Sequence, residues 1–354
     1  MSWEENVRRV VPYTPGKQPK AGEKVIKLNT NEFPYAPSPK VREALSKIDP
    51  EEFRLYPSTT AEPLTSAIAD YYGFKADEVF VGVGSDDVLS MAFLTFFHSK
   101  LPVLFADITY SFYDVWAEVY GIPYETIPLS SKFQLVKEDY FRANGGIVIA
   151  NPNAPTSLCI NGGLSALEEI LQKNPDSVVI IDEAYIDFGG ETALPLIRKY
   201  DNLLVVRTFS KSRAFAGVRI GFAIGNKKLI GYLNDVKFSV NSYTMGRPVI
   251  ALGLAALSDE EYFKESTKRV INTRERTKKE LSGLGFNVLD SQTNFVFCSH
   301  SAKRASDIFE ELKKRNIYVR YFNKPRIDDH LRITVGTDQE MESLITALKE
   351  ILCL

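Results

Sequence analysis

The chain has few cysteines and histidines, and neither kind forms a recognisable disulfide or metal pattern. Cys159, Cys298 and Cys353 are the only cysteines among 354 residues, and no two of them stand in a CxxC pair. The three histidines are equally scattered. Disulfide frameworks and zinc sites both need closer spacing. We therefore expect no bound metal and a reducing, cytoplasmic environment.

Long apolar runs and an excess of one charge are also missing. No run approaches the roughly 18 apolar residues of a membrane span, and the first residues lack the apolar stretch of a signal peptide. The 43 lysines and arginines nearly balance the 45 aspartates and glutamates. This balance argues against nucleic acid and anionic membranes as partners, because both are bound through basic surfaces.

Two nucleotide-binding motifs are absent as well. The sequence GVGSDD has no third glycine where the dinucleotide fingerprint requires one, and no GxxxxGK[ST] loop occurs in the chain. An NAD-dependent oxidoreductase and a phosphate-loop NTPase are therefore disfavoured.

Short apolar segments recur between Glu78 and Asn226, most of them followed by a helix-compatible stretch. The predicted strands are 79–83, 103–105, 124–127, 147–150, 178–181, 203–206 and 220–224. Several are continuously apolar, as strands buried on both faces should be. We predict an α/β fold with a mostly parallel sheet of about seven strands. Its ligands should bind at the carboxyl ends of the strands.

The chain exceeds the length that one hydrophobic core usually serves, and its texture changes after Gly246. A long helical pattern follows, with a start signal at Asp259 and a stop signal at Gly283. After it, the sequence alternates between strand-like and helix-like segments. We predict an arm and part of a small domain in residues 1–50 and a large domain in residues 51–245. Residues 246–354 should form a connecting helix and a small α+β domain.

A polar segment around Lys211 lies between two predicted buried strands. A lysine at a strand exit is partly desolvated, which suits it to Schiff-base chemistry. Thr208 and Ser210 offer hydroxyl groups and Arg219 offers a cationic fork, a combination that can hold a phosphate. The competing interpretation is a solvated basic loop.

Acidic, hydroxyl and aromatic side chains follow other predicted strands. Asp182 stands at the end of an apolar run, with Tyr185 three residues later, and a carboxylate there can hold a proton on a ring nitrogen or cap a helix. Ser85 and Asp86 open a helix whose free amide groups suit a phosphate. Tyr110 can lie on a flat heterocycle or pack in the core.

Motifs along nearly the whole chain resemble, in this order, the fold-type I pyridoxal-phosphate enzymes, and more narrowly the histidinol-phosphate aminotransferase family. They are LNTNEFPYAPSP, RLYPST, GVGSDD, ADITYSFY, NPNAPTS, DEAYIDF, TFSKSRAFAGVRIGF and LRITVGT. The resemblance implies a large α/β domain with a small α+β domain and pyridoxal 5'-phosphate as cofactor. It also implies amino transfer from L-histidinol phosphate to 2-oxoglutarate, a step of histidine biosynthesis.

The resemblance further implies roles for the matching residues. Lys211 would hold the cofactor as a Schiff base, and Asp182 would pair with the ring nitrogen. Tyr185 would contact the phenolic oxygen, and Tyr110 would stack on the ring. Tyr56 would reach the phosphate in the neighbouring subunit of a homodimer with shared active sites. The other implied contacts are Ser85, Asp86, Thr208, Ser210 and Arg219 for the phosphate, and Asn31, Tyr13, Arg320 and Arg332 for the substrate.

The segment NPNAPTS departs from the family pattern NPNNPTG. Ala154 stands where the family has the asparagine that contacts the phenolic oxygen, and Ser157 replaces a glycine. Either Asn153 or Asn151 would replace that contact, or Tyr185 would act alone.

Three other functions stay open. An aromatic amino-acid aminotransferase would use the same pocket, and a threonine-phosphate decarboxylase would use the same cofactor cradle. The third is a non-enzymatic ligand-binding module on the same fold. It would not need Lys211, Asp182 and Arg219 together, so their joint presence argues against it.

Overall fold

The computed structural model describes residues 2–20 and 22–354. In chain order its helices α1 to α10 are Pro39–Ser46, Leu64–Tyr72, Ser85–Phe96, Tyr113–Tyr120, Gly163–Lys173, Lys227–Val240, Arg247–Leu257, Glu260–Gly283, Ala305–Lys314 and Asp338–Leu352. Its strands β1 to β13 are Ile26–Lys27, Val79–Gly82, Val103–Ala106, Tyr124–Ile127, Gly146–Ala150, Val179–Asp182, Leu203–Thr208, Gly221–Gly225, Phe286–Val288, Phe295–His300, Ile317–Tyr318, Arg320–Tyr321 and His330–Thr334.

Strands β2 to β8 form the main sheet, in the order β2-β8-β7-β6-β5-β3-β4. Strand β8 runs antiparallel to both of its neighbours, and the other pairs are parallel. The predicted seven-stranded, mostly parallel sheet is therefore confirmed. Every predicted strand overlaps an observed one, with ends that differ by at most two residues.

Hydrophobic cores cover both faces of the main sheet. Val179 and Ile181 of β6 belong to the core that also contains side chains of α2, α5 and α7. Ile180, between them, belongs to the opposite core with α3, α4 and α6. Because successive side chains of a strand point to opposite faces, a strand covered on both sides must be apolar throughout. This explains the continuous apolar runs of the sequence.

A second, antiparallel sheet has the order β12-β13-β10-β9, and β1 pairs separately with β11. Its core combines Leu28 near the start of the chain with Leu281, Ile308 and Leu344 from α8, α9 and α10. The N-terminal segment therefore packs with the C-terminal third of the chain. Strands β11 and β12 lie on either side of Val319 and join different pairings, β11 with β1 and β12 with β13. The domain boundaries at residues 50 and 245 stay a prediction.

Helix α8 begins and ends where its sequence signals predicted. The Asp259 side chain accepts a hydrogen bond from the Tyr262 amide at 3.4 Å, and the helix ends at Gly283. The left-handed turn that follows is made by Gly285, with φ +88°. Across residues 2–20 and 22–354, no helix has both the length and the apolar character that a membrane crossing requires.

Candidate active site

A cavity of about 540 Å³ opens where strands of the main sheet end. Its lining comes from the segments that follow β2, β3, β5, β6 and β7, as expected at the carboxyl edge of a parallel sheet. The lining residues are Ser85, Asp86, Tyr110, Ala150, Pro152, Ala154, Asp182, Ala184, Tyr185, Ser210, Lys211 and Arg219. Eight of these twelve are site residues that the sequence predicted.

Asp182 is the last residue of β6 and is only 5% exposed. Its carboxylate accepts hydrogen bonds from the Tyr113 hydroxyl at 2.7 Å and from the Ala184 amide at 3.1 Å. Burial raises the pKa of Asp182 to about 6, although both hydrogen bonds oppose the shift. A buried carboxylate without a cationic partner is costly, so this position favours a ligand that brings a positive charge.

Sequence reasoning missed Tyr113, the side chain that donates to Asp182. Tyr113 opens α4, is fully buried, and packs among other aromatic rings such as Phe93 and Phe105. Burial, together with the Asp182 carboxylate, raises the pKa of Tyr113 well above its usual value. The hydroxyl therefore stays protonated and acts as a hydrogen-bond donor.

Lys211 lies in a tight loop after β7, and its Nζ is 5.7 Å from the centre of the Tyr185 ring. Thr208 shapes this loop from behind. Its hydroxyl accepts a hydrogen bond from the Ser210 amide at 3.0 Å and donates to the Ile220 carbonyl at 3.2 Å. Thr208 itself does not line the cavity.

The opposite end of the cavity gathers hydrogen-bond donors. Helix α3 begins there at Ser85, and the first amide groups of a helix have no acceptor within it. The Arg219 guanidinium is 3.0 Å from the Asp86 carboxylate, which also accepts from the Tyr110 hydroxyl at 2.8 Å. Gly84 has φ +87°, a backbone conformation that favours glycine, and a Cβ atom there would lie 2.5 Å from the Arg219 guanidinium.

Asn31 contacts Tyr185 across the cavity wall. Its side-chain amide donates to the Tyr185 hydroxyl oxygen at 2.9 Å. Thr334 fixes Asn31 from behind, because its hydroxyl donates to the Asn31 side-chain oxygen at 3.1 Å. Since the Tyr185 oxygen accepts from Asn31, its own proton remains free to be donated elsewhere.

Ala154 lines the cavity, but the neighbouring asparagines do not. The Asn153 side-chain oxygen accepts from the Thr109 hydroxyl at 2.8 Å, and its amide nitrogen donates to two further groups. The Asn151 side-chain oxygen accepts from the Ile160 amide at 2.9 Å. Both side chains therefore hold the loop in shape, and Tyr185 remains as the hydroxyl donor on this wall.

Arg332 and Arg320 have different surroundings. Arg332 is half-buried and donates to the Asn29 carbonyl at 2.9 Å, while its Nε has no hydrogen-bond partner among the described residues. Burial lowers the pKa of Arg332, and within the described part of the chain no carboxylate pairs with it. Arg320 is partly exposed and donates to the backbone carbonyls of Thr14 at 3.1 Å and Pro15 at 3.5 Å.

Tyr13 and Tyr56, also predicted from the sequence, lie outside the cavity lining. The Tyr13 ring stacks on Phe112 with 4.2 Å between ring centres. Tyr56 is 76% exposed and stacks on Tyr243 at 4.5 Å.

Comparisons with known proteins agree with this architecture. The sequence model of the family described as aminotransferase class I and II matches residues 23–348. The chain is 52% identical to a histidinol-phosphate aminotransferase of Lactococcus lactis subsp. cremoris, over 99% of this chain and 98% of that protein. It is also 52% identical to the histidinol-phosphate aminotransferase of Clostridium acetobutylicum, over 98% of each chain.

A solved structure gives the same result for the fold. The crystal structure of histidinol-phosphate aminotransferase from Sinorhizobium meliloti, in complex with pyridoxal-5'-phosphate, superposes with a TM-score of 0.84 at 25% identity. The match covers 94% of this chain and 92% of that one. The chain belongs to the class I and II aminotransferase family.

Proposed function

We propose that the chain is a pyridoxal-phosphate-dependent aminotransferase that converts L-histidinol phosphate and 2-oxoglutarate to imidazole acetol phosphate and L-glutamate in histidine biosynthesis. The names of the two relatives at 52% identity support this substrate. The observation that carries the proposal is one cavity lined by Lys211, the buried Asp182 and Arg219. We place the reaction in the cytoplasm because the three cysteines are free.

The cavity residues fit pyridoxal phosphate. When bound, this cofactor supplies an aldehyde that captures amino groups and a ring that delocalises the electron pair released at the α-carbon. Arg219, Ser85 and Ser210, with the first amides of α3, would hold the phosphate. Asp182 would hold the ring nitrogen in its protonated form, because a buried carboxylate is stabilised by a cation.

Two tyrosines would orient the ring. Tyr110 lines the cavity and is held by the hydrogen bond from its hydroxyl to Asp86, which fixes the ring for stacking. Tyr185 accepts from Asn31 and can donate its own proton to a phenolic oxygen. Because Ala154 offers no amide, Tyr185 acts alone in this role.

Lys211 is the residue that would move a proton. Its Nζ, in the neutral form, would accept the proton that leaves the α-carbon of the amino donor and deliver it again during the same half-reaction. Ala150, Pro152 and Ala184 contribute apolar surface to the same cavity. Release of a ketone product before the 2-oxo acid binds gives ping-pong kinetics.

The substrate anions would bind beside the second sheet. The half-buried Arg332 has no carboxylate partner among the described residues, so an anionic ligand would compensate the partial desolvation of its guanidinium. Arg320 would provide a second cation. The arginines must accept the phosphate of histidinol phosphate in one half-reaction and the carboxylates of 2-oxoglutarate in the other. A guanidinium fork binds both groups.

We also propose a homodimer with shared active sites. Three exposed rings form an aromatic surface, namely Phe53, Tyr56 and Tyr243, which are 58%, 76% and 47% exposed. Clustered exposed aromatic side chains are typical of protein interfaces. A second copy of the chain would cover this aromatic surface and would place Tyr56 at the phosphate of its neighbour.

Subunit mixing tests the shared site. Lys211→Ala and Tyr56→Ala proteins, each weakly active alone, are mixed, unfolded together and refolded. If sites are shared, each mixed dimer has one intact site, and about a quarter of wild-type activity returns. No recovery in mixed dimers, isolated through an affinity tag carried by only one of the two variants, would contradict the shared site.

A panel of half-reactions tests the substrate. The cofactor-loaded protein is mixed with histidinol phosphate, phenylalanine, tyrosine or threonine phosphate, and the cofactor absorbance is followed. We expect the fastest conversion with histidinol phosphate. If phenylalanine or tyrosine reacts fastest, the protein is an aromatic aminotransferase. If threonine phosphate alone reacts and carbon dioxide is released, the protein is a decarboxylase.

A further inference from the structure

Arg207 stands inside β7, a strand whose other side chains are mostly apolar, and is only 7% exposed. Its Nε and one terminal nitrogen lie 2.9 and 2.8 Å from the same Glu183 oxygen. Its other terminal nitrogen lies 3.6 Å from the Asp187 carboxylate. The guanidinium thus connects two carboxylates that belong to one stretch of chain after β6.

The Glu183 end of this network is fully buried. The Glu183 carboxylate also accepts from the Thr192 hydroxyl at 2.8 Å and from the Ala193 amide at 2.5 Å. Glu183 follows Asp182 directly, and its own amide donates to the Val206 carbonyl at 2.8 Å. Its side chain therefore fixes the backbone on which Asp182 stands.

The Asp187 end of this network contacts the loop after β7 that carries Lys211, called here the lysine loop. The Asp187 carboxylate accepts from the Ser212 hydroxyl at 2.5 Å. Ser212 is buried and follows Lys211 directly. A continuous chain of polar contacts thus runs from the neighbour of Asp182 to the neighbour of Lys211.

A buried ion pair is a poor way to gain stability, because desolvation of the charges offsets most of their attraction. Such a network can instead fix one geometry, since its donors and acceptors match in only one arrangement. Burial alone would lower the pKa of Arg207, but the Glu183 and Asp187 carboxylates outweigh it and raise this pKa.

We propose that Arg207 is a positioning residue that sets the spacing between Asp182 and Lys211 through Glu183 on one side and Asp187 and Ser212 on the other. The inference rests on the proposed function, because it concerns the two residues that would act on the cofactor. Arg207 itself does not line the cavity.

Two mild variants test the network. Ser212→Ala keeps every charge and removes only the contact between Asp187 and the lysine loop. Arg207→Lys keeps the cation but cannot reach both carboxylates. The readout is the pH titration of the visible absorbance band of the lysine-bound cofactor. This spectroscopic signal does not depend on turnover.

Each variant should raise the midpoint of this titration by about half a pH unit or more, a roughly threefold change in the proton equilibrium. The reason is that Asp187 loses compensation of its charge next to the lysine loop. The double variant should shift the midpoint no further than the larger single change, because the residues act as one unit.

Arg274→Lys is the matched control. Arg274 is another buried arginine, and it donates to the Phe188 carbonyl beside Asp187 without joining the network. The Arg274→Lys variant should have a lower melting temperature than the wild-type protein and an unchanged titration midpoint. If Ser212→Ala and folded Arg207→Lys behave like this control, the positioning role is refuted. A wild-type protein that forms no band would instead refute the proposed function, and the inference with it.

Discussion

The two ends of the proposed site are held in place differently. Asp182 and Lys211 stand at the ends of buried strands of the main sheet, between hydrophobic cores on both faces. Arg320 and Arg332 stand on strands of two and five residues in the second sheet. Arg320 is further tied to carbonyl groups of the N-terminal segment near Thr14. The first pair is fixed by burial and the second by polar contacts between distant segments.

This difference separates reaction type from substrate choice. The residues that would hold and activate the cofactor are set by the densely packed sheet, so they tolerate little variation in geometry. The arginines that would bind the substrate are positioned by short strands and by an N-terminal arm with exposed side chains. Experiments on the two pairs should therefore give effects of different size and kind.

The largest effect is expected at Lys211. Replacing it with alanine removes both covalent capture of the cofactor and proton transfer, so the half-reaction with histidinol phosphate should slow by about 10⁴-fold or more. Stopped-flow absorbance measures this rate. The exposed Lys228, replaced in the same way, is the control and should leave the rate unchanged. A Lys211→Ala protein that keeps about a tenth of the wild-type rate would contradict the assignment.

The two arginines should differ from each other. Arg332→Met should raise KM for histidinol phosphate by about 100-fold, because the protein loses a half-buried cation whose Nε has no partner among the described residues and which would pair with the substrate. Arg320→Met should raise it by about tenfold or less, because this guanidinium is already bound to two backbone carbonyls. Steady-state kinetics of both variants measures these two changes in KM. A larger effect at Arg320 would reverse the order of importance of the two side chains.

Asp182 should make the cofactor-free protein lose stability as pH rises. Its pKa of about 6 in the fold exceeds the ordinary 3.8, so the folded state binds more protons between these values. The loss from pH 5 to pH 8 amounts to roughly 1 kcal/mol in the free energy of unfolding. Urea denaturation should show this loss, and Asp182→Asn should lack it. Equal pH dependence of the two proteins would argue against the raised pKa.

The smallest effect is expected at Asn31. Replacing Asn31 with alanine removes one neutral hydrogen bond to Tyr185, worth about 1 kcal/mol or about fivefold in rate. Thr334→Val, which removes the group that holds Asn31, should act in the same direction and less strongly. The half-reaction rate is the measurement. An unchanged rate in Asn31→Ala would mean that Tyr185 needs no help from this side.

The sequence predicted the main sheet well because burial on both faces leaves a local signal. The run that ends at Asp182 is apolar from Val179 to Ile181, and the predicted and observed strands differ there by one residue. Cavity residues directly after such strands were found for the same reason. The prediction needed only the position of a polar side chain relative to a buried run.

Contacts between distant segments left no such signal. Tyr113 reaches Asp182 across 69 positions, and nothing in the sequence next to Tyr113 identifies that partner. Asn31 reaches Tyr185 across 154 positions. The sequence around Arg207 did give a local signal, because a charged residue stands within a buried strand. That signal indicates that the arginine needs a buried partner, but it does not identify Glu183 or Asp187 as the partners.

The central claim is that Lys211 holds the cofactor, and its most direct test is reduction of the cofactor-loaded protein with borohydride, followed by peptide mapping. The reduced cofactor should be attached to the peptide that contains Lys211, and Lys211→Ala should abolish the label. Attachment to another lysine, or no attachment in the wild-type protein, would contradict the claim.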